Sequence, residues 1–295
     1  MAQLKDTTID GGLVVTGNIE SPTIDLLLQN LSNPNLLING DFRVNQRGQT
    51  VYEAPTGAAT YTVDRWFISN KRKITVNDGY ITLESTIDGS TAYINQRIEG
   101  LKWGDGKAYT VSANIDGQVK TMTLINDGTA HSKVFEDGIG LAFGLATGMT
   151  DIITISVGYE AGGTGINIYW VKLEQGSVAT PFVPRPYAEE LAICQRYYVK
   201  LLGNFGGGNI NGKYVYVSVA TPTSLRIAPT ISHQSCLIEL NGVDDRNVSS
   251  LQNMTLSNNS IYLLVTLSSE FASNVLGHYG HFSTSSVLEL DAEIY

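Results

Sequence analysis

Two histidines near the C-terminus, His278 and His281, lie close enough in the sequence to share a metal ion. A closed structural zinc site needs four ligands, and this pair supplies at most two of them. Two interpretations follow. The pair is either part of a polar surface turn, or one contribution to a metal site that several identical chains complete.

Signatures of covalent or phosphoryl-transfer catalysis are missing from the sequence. None of the four histidines lies in a recognised nucleophile motif, and no GxSxG or P-loop segment occurs. The glycine-rich segment 203–208 lacks the lysine and hydroxyl residue of a phosphate cradle, which favours a flexible hinge. No acidic cluster marks the carboxylate pair of a glycosidase. We therefore expect a protein that is not an enzyme.

Aromatic residues outside strand cores are candidates for sugar binding, because an exposed ring packs against the apolar face of a pyranose. Trp103 lies between two predicted strands, and it either binds a sugar or anchors its loop. Further candidates are Tyr214, Tyr216, His278 and Tyr279. The two groups lie in different predicted β regions, so both regions are candidates for a binding surface.

Residues 35–184 alternate short apolar runs with turn signals, as expected for a β-sandwich or barrel. Turns with positive φ are predicted at Asn77-Asp-Gly79, Asp88-Gly89, Asp116-Gly117 and Asn126-Asp-Gly128. The predicted strands include 73–76, 80–84, 92–98, 109–115, 121–125, 152–157 and 166–173.

A proline spacer and a helix are predicted for residues 185–205, because Pro181, Pro184 and Pro186 impose extended backbone before Tyr187. Glu189 and Glu190 suit a first helical turn, and Gly203 suits the C-cap. The apolar stripe of this helix packs either on the core of its own chain or in a three-chain bundle. Its members are Leu191, Cys194, Tyr198 and Leu201.

Strict alternation predicts strands in residues 206–295. Tyr214 and Tyr216 point to one side of a strand, and Val215 and Val217 point to the other. The same alternation runs from 287 to 295, so we expect the chain to end within a strand. Because so short a region buries little surface, we also expect other subunits to complete its core.

Residues 1–34 carry β-like pieces and one short amphipathic helical pattern with Ser21 as N-cap. The apolar stripe lies either on its own domain or against two other copies around an axis. It consists of Ile24, Leu27, Leu28 and Leu31. We interpret 1–34 as an attachment and trimerisation segment.

Composition and charge indicate which binding partners and which cellular compartment are expected. A formal net charge of −9 disfavours nucleic acid and anionic membranes. No run of eighteen apolar residues and no signal peptide occur, which favours synthesis in a cytoplasm and no membrane insertion. Cys194 and Cys236 are expected to be buried free thiols.

Four segments in this order resemble the tail fibres, or receptor-binding proteins, of bacteriophages and related phage-tail-like particles. They are NLLINGDFRVNQRG at 35–48, VDRWF at 63–67, SLRIAPTI at 224–231 and LDAEIY at 290–295, joined through the segment 170–200. The resemblance covers roughly Asn35 to the C-terminus. It implies a homotrimer with a carbohydrate-binding jelly roll at 35–184 and a C-terminal β tip domain at 206–295.

The function implied by the resemblance is attachment of the virion to a bacterial surface glycan, without catalysis, at the tail tip. The N-terminus would contact other tail or baseplate proteins. Alternatives are a structural tail or baseplate subunit, a glycan depolymerase, and a secreted bacterial adhesin, which the missing signal peptide disfavours.

The segment Asn39-Gly-Asp-Phe42, with Lys172-Leu-Glu174, resembles carbohydrate-binding jelly rolls in which a structural calcium ties the first and last strands. The resemblance implies Asp41 and Glu174 as calcium ligands. The alternative is that these carboxylates accept hydrogen bonds from backbone amides. In Asp64-Arg65-Trp66 we expect an ion pair beneath a buried tryptophan.

Overall fold

The computed structural model describes residues 32–87, 90–160, 165–240, 244–257, 259–271 and 279–295. The predicted N-terminal helix, the Asp88-Gly89 turn and His278 lie outside these residues. Within them, no helix has the length and apolar character needed to cross a membrane. The prediction of a mainly β fold is confirmed.

Two six-stranded antiparallel sheets form the first part of the described chain. The first sheet has the order β1-β4-β5-β12-β7-β8 and the second has the order β2-β3-β6-β11-β10-β9. This arrangement is consistent with a jelly-roll-like sandwich. The strands are β1 Val51–Glu53, β2 Ala59–Tyr61, β3 Phe67–Ser69, β4 Arg72–Asn77, β5 Tyr80–Ser85, β6 Ala92–Ile98, β7 Ala108–Ile115, β8 Gln118–Ile125, β9 His131–Val134, β10 Ile139–Leu145, β11 Ile153–Tyr159 and β12 Ile166–Gln175.

One apolar core lies between the two sheets, because alternate residues of each strand point inward. Ile74 and Val111 of the first sheet belong to the same buried cluster as Ile94 and Ile155 of the second. The predicted turn at Asp116-Gly117 is confirmed, since both residues have positive φ angles, 48° and 82°, as a two-residue hairpin turn requires.

The proline spacer is fixed against the sandwich. The Phe182 ring stacks on Trp170 at 4.9 Å between centroids. The Lys172 ammonium donates hydrogen bonds to Thr180 Oγ1 at 2.6 Å and to the Pro181 carbonyl at 3.0 Å. These contacts hold the spacer as a defined segment rather than a free linker.

The helix α1, Tyr187–Cys194, is shorter than predicted. Its first turn carries Glu189 and Glu190 as expected. The prediction that the helix continues to Gly203 is wrong, because Tyr198–Leu202 forms strand β13 and Tyr198 pairs with Asp291. The partner strand lies almost a hundred residues further along the sequence. The local spacing of apolar residues therefore cannot predict this pairing.

The last part of the chain forms a closed six-stranded barrel with the order β14-β15-β19-β18-β17-β20. Beside it, β13, β21 and β16 form a three-stranded sheet. The new strands are β14 Gly206–Asn211, β15 Tyr214–Ala220, β16 Thr230–Gln234, β17 Leu237–Leu240, β18 Asp244–Ser257, β19 Ser260–Leu267, β20 Tyr279–Phe282 and β21 Val287–Asp291.

The glycine run is part of strand β14, so the prediction of a flexible hinge at 203–208 is wrong. A Cβ atom on Gly208 would lie 1.5 Å from the Tyr216 carbonyl oxygen. Glycine is needed at this position because the backbones of β14 and β15 approach closely.

The barrel core is covered within one chain. Val215, Val217, Leu263 and Phe282 are fully buried, and both free cysteines are buried as predicted. The expectation that other subunits complete this core is wrong, because pairing of β20 with β14 closes the sheet and encloses its inner face.

The C-terminal residues extend beyond the last strand. Strand β21 ends at Asp291, so the expectation that the chain ends within a strand is wrong. Leu290, Ala292 and Ile294 are buried as their spacing predicts, but Glu293 between them is buried as well, so alternation ends with the strand. The segment 292–295 instead contacts the sandwich.

Candidate functional site: a tyrosine surface on the barrel

The three predicted tyrosines come together on the outside of the barrel. Strand β14 lies between β15 and β20, and Asn209 pairs with both Tyr216 and Tyr279. Tyr214 lies two residues before Tyr216 on β15 and therefore shares its face. The valines between these tyrosines are buried, which confirms the predicted alternation.

A fourth tyrosine extends this face. Tyr262 on β19 pairs with Ser218, and its ring lies 6.3 Å from that of Tyr216 with an interplanar angle of 18°. Sequence reasoning missed Tyr262, although alternation in Ser260–Leu267 would have placed it outward. We define the tyrosine surface as Asn209, Asn211, Tyr214, Tyr216, Tyr262 and Tyr279.

The rings of the tyrosine surface are accessible. Tyr214, Tyr216, Tyr262 and Tyr279 expose 46%, 37%, 42% and 58% of their area. Tyr279 lies against Gly207, where an added Cβ would be 2.7 Å from its Cε1 atom. The missing side chain at 207 therefore makes room for this ring on the barrel wall.

Uncharged polar groups surround the rings. Asn209 and Asn211 are exposed, and neither side chain forms a hydrogen bond with another described residue. Ser218 and Thr266 also face outward on the same strands, and the six residues of the surface carry no charge. Apolar ring faces beside free amides suit a neutral sugar, which presents both an apolar face and hydroxyl groups.

Trp103 lies apart from this surface. Its ring is half-buried and stacks on Phe143 of the sandwich core at 5.9 Å. Asn126 braces the same loop, since its Oδ1 accepts from the Gly104 amide at 2.9 Å and its Nδ2 donates to the Lys102 carbonyl at 2.8 Å. The geometry favours the loop-anchor alternative for Trp103.

Asp41 and Glu174, the calcium ligands that the resemblance implies, each pair with a basic side chain. Glu174 is fully buried, accepts from the Thr180 amide at 2.9 Å and pairs with Lys172 at 3.2 Å. Asp41 pairs with Arg43 at 3.0 Å, and burial raises the pKa of its carboxyl above the ordinary value. Among the described residues, no group of three or more His, Cys, Asp or Glu side chains is placed to hold a metal ion.

Arg65 forms an ion pair as expected, but its partner is not Asp64. Arg65 is buried and pairs with buried Glu293 from the C-terminal segment. Asp64 instead accepts hydrogen bonds from the Gln46 amide at 2.7 Å and the Gln46 side chain at 2.6 Å. The tryptophan of this motif, Trp66, is fully buried as predicted.

A buried polar seam joins the sandwich to the C-terminal segment. We define the seam as Arg47, Asp64, Arg65, Glu293 and Ile294. The Ile294 carbonyl accepts hydrogen bonds at 2.5 Å from Tyr61 and from Arg97 of the sandwich. Desolvation raises the pKa of Asp64 to about 6, although the charge of Arg47 acts in the opposite direction.

The described chain is thus a mainly β protein. Its two-sheet sandwich contacts, through a buried seam, the three-stranded sheet and the C-terminal segment that lie beside a closed barrel. No protein-family model, curated protein or solved structure matches this chain. The sequence pattern and the geometry of the tyrosine surface are therefore the basis for assigning a function.

Proposed function

We propose that this chain is a subunit of a homotrimeric receptor-binding protein, or tail fibre, of a bacteriophage or related particle. It attaches the virion to a neutral glycan on a bacterial surface and performs no catalysis. Assembly takes place in the host cytoplasm, and the protein acts at the tail tip.

The observation that carries this proposal is the tyrosine surface. Four exposed rings lie on one side of a closed barrel beside two amides without partners among the described residues. Contiguous exposed apolar patches mark interaction sites, and exposed aromatic rings can pack against the apolar face of a sugar.

The remaining parts of the proposal come from the sequence resemblance. The two-sheet sandwich is a carbohydrate-binding-like jelly roll, and residues 1–34 attach the fibre to another tail or baseplate protein and bring three chains together. Because the barrel core is closed within one chain, the N-terminal segment is the part on which trimerisation depends.

Trimerisation would explain how binding sites with low individual affinity for a glycan attach a virion firmly to a cell. Three linked sites raise the overall affinity by about 10² to 10⁴ over one site without any new contact. A formal charge of −9 per chain keeps such a particle soluble and disfavours polyanionic receptors.

A glycan array probed with the full-length protein tests the proposed activity. We expect binding to neutral bacterial glycans, weaker binding by Tyr216→Ala, and unchanged binding by Tyr169→Ala. Tyr169 is a matched control because it is also 37% exposed but lies on the sandwich. Binding that survives Tyr216→Ala unchanged would overturn the site.

Two further measurements separate the alternatives. Mass in solution distinguishes a trimer from a monomeric adhesin, and a monomer at micromolar concentration would contradict the fibre proposal. Release of reducing sugar from intact capsule or cell wall would identify a depolymerase instead. A trimer that binds no intact cells would be a structural tail subunit.

A further inference from the structure

A groove crosses the outer face of the second sandwich sheet, away from the tyrosine surface. Its volume is about 440 Å³. Ile94 and Gln96 of β6 point into the core, so Asn95 and Arg97 between them point outward into the groove. Phe67 of β3 lies on one side of it and His131 of β9 on the other.

The floor of the groove is flat and able to form hydrogen bonds. Ala142 and Gly144 of β10 contribute almost no side chain. Ser156 donates to Asn95 Oδ1 at 2.7 Å, while the Asn95 amide nitrogen makes only long contacts, 3.4 Å and 3.5 Å, with backbone carbonyls. Small apolar residues beside hydroxyl and amide groups suit a ligand that is rich in hydroxyl groups.

The charge in this groove has the opposite sign to that of the whole chain. No aspartate or glutamate is among the residues that line it, although the chain has a net charge of −9. Arg97 lies in it, and its guanidinium carbon is 4.7 Å from the centroid of the Phe67 ring. His131 adds no free cation, because its Nε2 contacts Asp127 Oδ1 at 3.0 Å.

Arg97 differs from three arginines that lie near the contact between the sandwich and the C-terminal part of the chain. Arg47, Arg65 and Arg226 each form an ion pair with a carboxylate. Arg97 forms none with the described carboxylates, and its NH1 group donates only to the Ile294 carbonyl. A half-buried guanidinium without a counter-charge favours binding of an anion. Hydrogen bonds from a guanidinium to an anion are about twice as strong as hydrogen bonds between neutral groups.

We propose that this groove is a second binding site, for a sugar that carries one carboxylate. The carboxylate contacts Arg97, and the ring hydroxyl groups contact Asn95, Thr154 and Ser156. Beyond Asn95 the same face reaches one further cation and one anion, Arg72 and Glu160. Among the residues that line the groove itself, Arg97 is the only arginine or lysine, so a ligand with a single carboxylate matches it.

Titration of the full-length protein with glucuronate, glucose and acetate tests this proposal. Amide chemical shifts measured by NMR report both affinity and location. We expect glucuronate to bind at least about tenfold more tightly than glucose or acetate. The largest chemical-shift changes should fall on β6, β10 and β11, and glucuronate binding should weaken with added salt. Equal affinities for glucuronate and glucose, or shifts confined to the barrel, would overturn the proposal.

Two variants separate binding from folding. Arg97→Gln should lower the glucuronate affinity at least about tenfold and abolish the preference over glucose. Because Arg97 also contacts Ile294, Ala142→Leu provides an independent test: it fills the groove floor and leaves Arg97 in place. Ala220→Leu, at an exposed alanine of β15, is the matched control. Wild-type glucuronate binding in Ala142→Leu would contradict the assigned location.

Discussion

The seam and the tyrosine surface use polar and aromatic residues in opposite ways. In the seam, Arg65 and Glu293 are almost fully buried and form an ion pair with each other. In the tyrosine surface, rings and amides face solvent, and the Asn209 and Asn211 side chains have no hydrogen-bond partner among the described residues.

This difference separates structural from functional residues within one chain. A buried charge must be paired, because desolvation without a partner costs several kcal/mol. An exposed ring needs no partner for folding, so a cluster of exposed rings remains free to bind a ligand. Substitutions in the seam should therefore affect stability, and substitutions in the tyrosine surface should affect binding.

The largest expected effect is on stability, from Glu293→Ala. Removing one member of the buried pair leaves the Arg65 charge uncompensated, so we expect a loss of about 3–5 kcal/mol in the free energy of unfolding, measured by urea denaturation. Glu84→Gln is the control, since its pair with Lys73 is about one-third exposed and should contribute about 0–1 kcal/mol. Equal losses in the two variants would show that the seam does not stabilise the fold.

Two neighbouring residues of β19 give the sharpest contrast between the inside and outside of the barrel. Leu263 is fully buried and Tyr262 is 42% exposed. Leu263→Ala should cost about 2–5 kcal/mol because it leaves a cavity. Tyr262→Ala should cost less than about 1.5 kcal/mol, the value of its ring pair with Tyr216, and should weaken glycan binding. Urea denaturation of both variants measures the difference, and similar losses would contradict the assigned faces.

The seam also predicts a pH dependence of stability. The folded-state pKa of Asp64, about 6, lies above its ordinary value of 3.8, so the folded protein holds this proton more tightly than the unfolded chain. The stabilisation of the folded state by protonated Asp64 is fully present below pH 3.8 and is lost as the pH rises through 6. Its size is up to roughly 3 kcal/mol, from about two pKa units of difference. Unfolding free energies measured between pH 4 and 7 should fall less steeply with pH in Asp64→Asn than in the wild type. Parallel curves would contradict the raised pKa.

The smallest expected free-energy change concerns binding. Tyr216→Ala should weaken glycan binding about tenfold, as expected for loss of one stacked ring, whereas Tyr169→Ala should leave it unchanged. Each variant removes one ring pair, so each should lose less than about 1.5 kcal/mol in the free energy of unfolding. If Tyr169→Ala weakens binding equally, the ligand contacts the sandwich as well.

Local patterns in the sequence predicted the tyrosine surface better than the seam. Alternation in β15 placed Tyr214 and Tyr216 outward because the period of a strand is local. The partner of Arg65 lies 228 residues away, and the pairing of β13 with β21 ended the predicted helix early. No local pattern predicts these two contacts, because each depends on which distant segments of the chain meet in the fold.

Closure of the barrel was equally invisible in the sequence. The expectation of a core shared between subunits came from the short length of residues 206–295. Pairing of β14 with β20, and close approach of the backbone at Gly208, bury that core within one chain. The pairing of separate strands, rather than composition, decided the outcome.

The most direct test of the central claim is a crystal structure of the full-length protein with the best-binding array glycan. Our account predicts a sugar ring against Tyr216, Tyr262 or Tyr279, with a hydroxyl group hydrogen-bonded to Asn209 or Asn211. A neutral glycan bound away from the barrel, or a tyrosine surface covered by a neighbouring subunit of the assembly, would contradict it.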